Sequence, residues 1–158
     1  MKTIIVKGVL LIMWQIKTFK QLTTQDLFQI YQLRGQVFNV EQERIYNDVD
    51  KHDLNALHVM YHIDGQLVCY ARIFQQDEET VTFGRVVIAP KFRGQGLGND
   101  LLDQIMATIK EYFPENQIEI EAQVQVEGYY RKAAFKSVGR PFIHASTPHI
   151  KMVHSPLG

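Results

Sequence analysis

The sequence predicts one α/β domain, a mixed and mostly antiparallel sheet of about six to seven strands with helices on both faces. Three observations predict it. The chain has 158 residues, the length of a single domain. Strand-like and helix-like segments follow one another in the order β-α-(α)-β-β-β-α-β-α-β. One dipeptide, Asp64-Gly65, separates two alternating apolar runs, which is the strongest short signal for an antiparallel hairpin.

Taken in order, "MKTIIVKGVLLIMW" clusters apolar residues at 4–6 and 9–13. Lys7 interrupts the run and no small-x-small site follows, so it does not read as a signal peptide. It is too short to span a membrane. Residues 1–12 are expected to be a leader, an upstream extension or an extra edge strand, and 13–158 a single domain. "WQIKTF" alternates as a half-buried strand does. Thr23 or Thr24 caps a helix carrying Leu27, Ile30, Tyr31, Leu33 and Arg34 at helical spacing. "FNVEQERIYNDVDKHD" holds no sustained period and reads as a short helix and loop. In the hairpin, Val59, Tyr61 and Ile63 share one face, as do Leu67, Cys69, Ala71 and Ile73. "QQDEE" is the turn before the strand "TVTFGRVVI". Leu97, Leu101, Leu102, Ile105 and Ile109 make an amphipathic helix that ends by Pro114. "QIEIEA" is a strand, "VEGYYRKAAF" a short helix and "IKMV" a closing strand.

Composition excludes some functions. Lys and Arg total 17, as do Asp and Glu, so the net charge is zero. Bulk nucleic-acid binding needs a basic face and is not expected. Cys69 is the only cysteine, which forbids an intrachain disulfide and fits a reducing, cytoplasmic location. The six histidines are scattered, and no metal site and no membrane partner are expected.

The informative stretch is "RVVIAPKFRGQGLGNDLLDQI", residues 85–105. A Rossmann fingerprint needs G-x-G-x-x-G, and the spacing here is G-x-G-x-G after an antiparallel meander. A Walker loop ends in G-K-[ST], whereas Asn99 and Asp100 follow Gly98. What remains is R-G-Q-G-L-G, residues 93–98, between a strand and a helix. Glycines let the backbone curl so that successive N–H groups point inward. The helix behind adds partial positive charge, and Lys91 and Arg93 add full charge.

This loop resembles the acyl-CoA-binding loop of the GNAT superfamily of N-acetyltransferases, whose pattern is [QR]-x-x-G-x-[GA]. The resemblance runs over nearly all of residues 13–153, and within the superfamily it is to the ElaA-like acetyltransferases. It is carried by "LRGQVFNVEQ", "YNDVDKHD", "YARI", "GRVVI", "EAQVQVEGYYRKAAF" and "TPHIKM". Departures are Ala134-Phe135 for the usual G-F, residues 144–147 for an acidic pair and G-I, and Glu43-Arg44 where a cysteine is common. They bear on the acceptor rather than on the fold or the CoA site.

The resemblance implies the GNAT fold and acetyl transfer from acetyl-CoA to an amine, either a small molecule or a protein amine; homodimerisation is left open. It implies that Arg93, Gly94, Gln95, Gly96, Leu97, Gly98 and Asn99 hold the pyrophosphate. Val86, Val87 and Ile88 would pair through their backbone with the pantetheine. A main-chain N–H near Ile88 would polarise the thioester carbonyl. Gln123 stands where many relatives carry an Asn touching the pantetheine. Tyr130 stands where the family protonates the leaving sulfur, and Tyr129 reads as the core residue of the two. The base is open among Glu41, His149, Glu121 and a water chain, because Arg85 holds the neighbourhood where many relatives place a Glu.

Arg34, Arg72 and Arg85 are expected to converge with Glu41, Asp50 and Asp53 in a buried ion network. An arginine left unpaired would instead suit a substrate carboxylate. Two alternatives stand beside the acetyltransferase. One is an acyl-homoserine-lactone synthase, whose N-terminal pattern Arg34, Val37, Phe38, Asp48 and Asp50 fit loosely; the intact loop favours CoA. The other is a non-catalytic CoA-binding domain, which would not need Tyr130.

Overall fold

The computed structural model describes residues 3–6, 9–12 and 14–158, the first two stretches as backbone only. Thr3–Val6 (β1) and Val9–Ile12 (β2) pair antiparallel in a two-stranded sheet of their own, not as an added edge of the main sheet. The main sheet contains Trp14–Thr18 (β3), Leu57–Ile63 (β4), Gln66–Gln75 (β5), Thr80–Ile88 (β6), Gln117–Gln123 (β7), Lys136–His144 (β8) and Thr147–His154 (β9). Its seven strands are ordered β3-β4-β5-β6-β7-β9-β8. Every neighbouring pair is antiparallel except β6 with β7. No helix among the described residues is long and apolar enough to cross a membrane.

Three helices complete the fold: Thr24–Arg34 (α1), Leu97–Tyr112 (α2) and Glu127–Arg131 (α3). A capping box starts α1. The Asp26 N–H donates to the Thr23 hydroxyl at 3.0 Å, and the Thr23 N–H donates to the Asp26 carboxylate at 2.9 Å. The chain continues as a π-helical segment over Gly35–Glu41. The helix α2 buries Leu101, Leu102, Ile105 and Ile109, four of the five positions its spacing singled out. On consecutive β5 residues, Tyr70 lies under the guanidinium of Arg34 from α1, while Cys69 pairs with Ile88, whose side chain reaches Gly98 of α2. Consecutive strand residues point to opposite faces, so α1 and α2 cover the two faces of the sheet.

The hairpin turn is as expected. Asp64 has φ 49° and Gly65 has φ 78°, the pair of positive angles that a type I′ turn requires. The strand β8 is not predicted from sequence. It is an edge strand, exposed at nearly every position, and Gly139 and Pro141 break its alternation.

Candidate active site

The site begins with a failure of pairing. Strand β6 is held by β5 along its length, and β7 by β9 over residues 118–123. Between β6 and β7 only two rows pair, Thr80 with Gln117 and Val81 with Ile118. Beyond them the strands diverge. A cavity of about 440 Å³ sits there, lined by residues 82–86 of β6 and 120–123 of β7, with Phe38, Arg44, Tyr46, Tyr130, His144 and His149 among the others around it.

A bulge in β6 shapes this opening. Register passes from Tyr70 with Val87 to Arg72 with Gly84, so Arg85 and Val86 together face Ala71. Arg85 has φ 52°, an angle that non-glycine residues seldom adopt. Past the bulge, the Ala89 N–H donates to the Val68 carbonyl at 2.8 Å, on the β5 side. Alternation turns the main-chain groups of Ile88 and Val86 away from β5, toward the opening. Consistent with this, the Ile88 carbonyl accepts from Arg93 Nε at 3.1 Å.

The glycine loop follows the end of β6 in the chain and leads into α2; residues 93–99 are not among those lining the cavity. Gly94 and Gly96 have φ 77° and 82°, which glycine adopts without strain. Gly96 is the N-cap of α2 and no side chain caps the helix. The first N–H groups of α2 have no carbonyl before them in the helix, so Leu97, Gly98 and Asn99 present donors backed by the helix dipole. Gln95 is exposed at the loop's tip. The loop's arginine is not free: Arg93 Nη1 meets Glu41 Oε1 at 2.8 Å, with both side chains well exposed. Such a surface pair contributes about 0–1 kcal/mol.

Tyr130, His149, Gln123 and Glu121 line the cavity; Glu41 is not among its lining residues and sits at the loop with Arg93. Tyr130 is 6% exposed and packs against the rings of Phe83 and Phe135. Its hydroxyl has no hydrogen-bond partner among the described residues. Burial pushes its pKa above the usual tyrosine range, so it is protonated at neutral pH. The expectation that Tyr129 is the core member of the pair is corrected. Tyr130 lies in the core cluster, while Tyr129 is half-buried and donates its hydroxyl to the Gly98 carbonyl. The reason is α3's orientation, which turns consecutive residues onto different surfaces.

His149 is 5% exposed, on β9 beside Gln123. Its Nδ1 lies 2.7 Å from the Thr147 carbonyl, a pure acceptor, so Nδ1 carries the proton and Nε2 keeps a lone pair. Burial holds its pKa below the usual histidine value, and the nearby Arg44 and His144 push the same way. Gln123 donates Nε2 to Gln42 at 3.1 Å and accepts from Gln125 at 2.8 Å, tying β7 to the segment after α1.

The three arginines do converge, with one correction. Arg34 bonds Asp48 and Asp53, each at 2.7 Å. Arg72 bonds Asp50 at 2.6 Å and Asp53 at 3.0 Å. Arg85 bonds Asp48 at 2.9 Å and reaches Asp50 at 3.5 Å. Asp48 holds the place expected of Glu41, which the π-helical segment instead carries out to Arg93. Burial raises the Asp50 pKa, but Arg72 and Arg85 outweigh it and hold the carboxyl at about 2. Sequence reasoning missed Asp48 in the network, and Gln42, Arg44 and Tyr46 at the cavity. The spacing of acids in "DVDKHD" was the available signal for the first; the others lie in a stretch without a period.

Comparison with known proteins follows the geometry. The model of the acetyltransferase (GNAT) domain family matches residues 20–155. The chain is 32% identical over 146 residues to protein ElaA of Escherichia coli, covering 90% of this chain and 95% of that protein. The crystal structure of Escherichia coli ElaA superposes with a TM-score of 0.85, covering 90% of this chain and 98% of that one at 31% identity. An acyl-CoA N-acyltransferase from Pseudomonas aeruginosa gives the same TM-score and coverage at 34% identity.

Proposed function

The chain belongs to the GNAT acetyltransferase family, and from that premise we propose that it transfers the acetyl group of acetyl-CoA to a primary amine by direct attack on the thioester. The observation that carries this reading is the opening between β6 and β7, on the strand that runs directly into a glycine loop and a helix N-terminus without a side-chain cap. A thioester threaded there would meet main-chain donors along one side and the anion-binding loop at its far end.

Each residue then has a task. Residues 93–99 take the pyrophosphate, and the main chain of Val86 and Ile88 takes the pantetheine. The Ile88 N–H polarises the thioester carbonyl, and Gln123 steadies the opposite rim. As the C–N bond forms and the C–S bond breaks, the amine's proton goes to a base and the leaving sulfur takes one from Tyr130. His149 Nε2 suits the base, since it is neutral and unblocked. Glu41 is a weaker fit while it pairs with Arg93, and Glu121 would act through water. With a single cysteine and so no intrachain disulfide, the chain is expected to work in the reducing cytoplasm.

The test is thiol release from acetyl-CoA across an amine panel, with Tyr130→Phe beside the wild type. The ring and its packing stay, and only the hydroxyl goes. General acid catalysis contributes about a hundred-fold or more, so kcat falls by that factor while CoA affinity is nearly unchanged. Turnover within about twofold of wild type, with chemistry limiting, removes Tyr130 from the reaction. CoA binding without turnover of any amine would favour a non-catalytic CoA-binding domain.

A further inference from the structure

The arginines that line the cavity differ in one respect. Arg72 and Arg85 are matched by the aspartates of the network. Arg44 is not. It is 6% exposed, its Nε donates to the Ala145 carbonyl at 3.2 Å, and its guanidinium lies 4.6 Å from the Tyr46 ring centroid. No carboxylate among the described residues pairs with it. Its two terminal nitrogens make no hydrogen bond there either, yet they are not among the buried atoms sealed from solvent. Arg44 is one of the residues that line the cavity. A guanidinium this buried, with a single bond to backbone, is costly unless something else completes it.

The surroundings say what that is. Of the charged groups lining the cavity, Asp50 is bound by Arg72 and Arg85, and Glu121 is exposed on β7. His144 and His149 stand ring to ring at 5.5 Å and add no negative charge. This side of the cavity therefore favours an anion. The stacking on Tyr46 and the anchored Nε fix the plane of the guanidinium, leaving its two terminal nitrogens as a ready fork for a carboxylate. His149, whose Nε2 can take a proton from an amine, lies close enough for Arg44's charge to depress its pKa.

We propose that the acceptor is a small amine that also bears a carboxylate, an amino acid in chemical class, and that Arg44 binds the carboxylate while the amine faces the thioester. This rests on the acyltransferase reading and narrows it. Arg44 is a specificity residue here, not an acid or base.

The experiment measures kcat/KM for thiol release from acetyl-CoA with amino acids and with their carboxamides, in wild type, Arg44→Gln and Arg44→Lys. CoA affinity and melting temperature are recorded for each variant. A charged hydrogen-bonded pair contributes roughly 10- to 100-fold in binding. The preferred amino acid should therefore outrun its amide by about that factor. Arg44→Gln should erase the difference, chiefly through KM, with CoA affinity unchanged, and Arg44→Lys should restore part of it. Amides used as well as acids, or an acid preference that survives Arg44→Gln, overturns the proposal. So does turnover confined to amines without a carboxylate, or CoA binding with no amino acid consumed. Failure of the wild type to bind CoA would instead defeat the acyltransferase reading itself. If Arg44→Gln melts much lower than wild type, Arg44→Lys against the same acid–amide pairs decides the question.

Discussion

The sheet has a closed half and an open half, and β6 belongs to both. From β4 through β6 the strands pair along most of their length, and three arginines on that side meet three aspartates. From β6 to β7 pairing stops after two rows. The bulge at Arg85 and Val86 turns Arg85 back into the ion network and leaves the following backbone facing the opening. The difference teaches how a site can present unpaired main-chain groups without collapsing. The closed half is over-determined, so the open half can keep its main-chain donors in place; on the proposed function, little would need to reorganise during the reaction.

The largest expected effect comes from breaking the closed half. Asp53→Ala leaves Arg34 and Arg72 buried with one carboxylate fewer and should cost about 3–5 kcal/mol in urea denaturation. Glu41→Ala removes only an exposed pair and should cost less than about 1 kcal/mol. Equal costs would dissolve the distinction between the halves. Acid gives the same contrast. Asp50 and Asp53 have folded pKa values below their ordinary 3.8, Asp50 at about 2. Their stabilisation is complete above the unfolded value and is lost as pH falls through the folded one. Stability should therefore drop from about pH 4 toward pH 2, and Asp50→Asn should flatten that slope.

Next in size is the chemistry of the open half. If His149 is the base, burial lowers its pKa from the ordinary value and favours the neutral form that can accept a proton. The kcat/KM of the wild type should hold level through neutrality and fall only in more acid solution. His149→Asn should lose about a hundred-fold at neutral pH and lose that acidic limb as well. An unchanged limb in the variant assigns the base to Glu41, Glu121 or water.

Much of the closed half was legible in the sequence. Alternation gave β4 and β5, and Asp64-Gly65 gave their turn, because each depends on residues close in the chain. The glycine loop was legible for the same reason. What escaped depends on tertiary contacts. The loop before β4 hides Asp48 and Arg44, whose roles exist only once α1 and the β8–β9 turn meet them. The positive φ of Arg85 leaves no trace in a run of valines and isoleucine, since the network and the bulge impose it. The burial of Tyr130 over Tyr129 turned on the direction of a five-residue helix, too short for periodicity to resolve.

A smaller effect than that of His149 is expected in the loop. A Cβ at Gly96 would meet nothing within 4 Å, so bulk is not the obstacle, but φ 82° is. Gly96→Val should cost about 1–2 kcal/mol in the local conformation. CoA affinity should weaken roughly tenfold while the urea midpoint of the closed half barely moves.

The central claim is that the open half is the acyl-CoA site. Amide hydrogen exchange with and without acetyl-CoA tests it most directly. The amides of Val86, Ile88 and residues 94–99 should gain protection on binding, while those of β5, already paired on both sides, should change little. Binding that leaves Ile88 and the loop as exchangeable as before, or that protects another surface instead, would contradict the account.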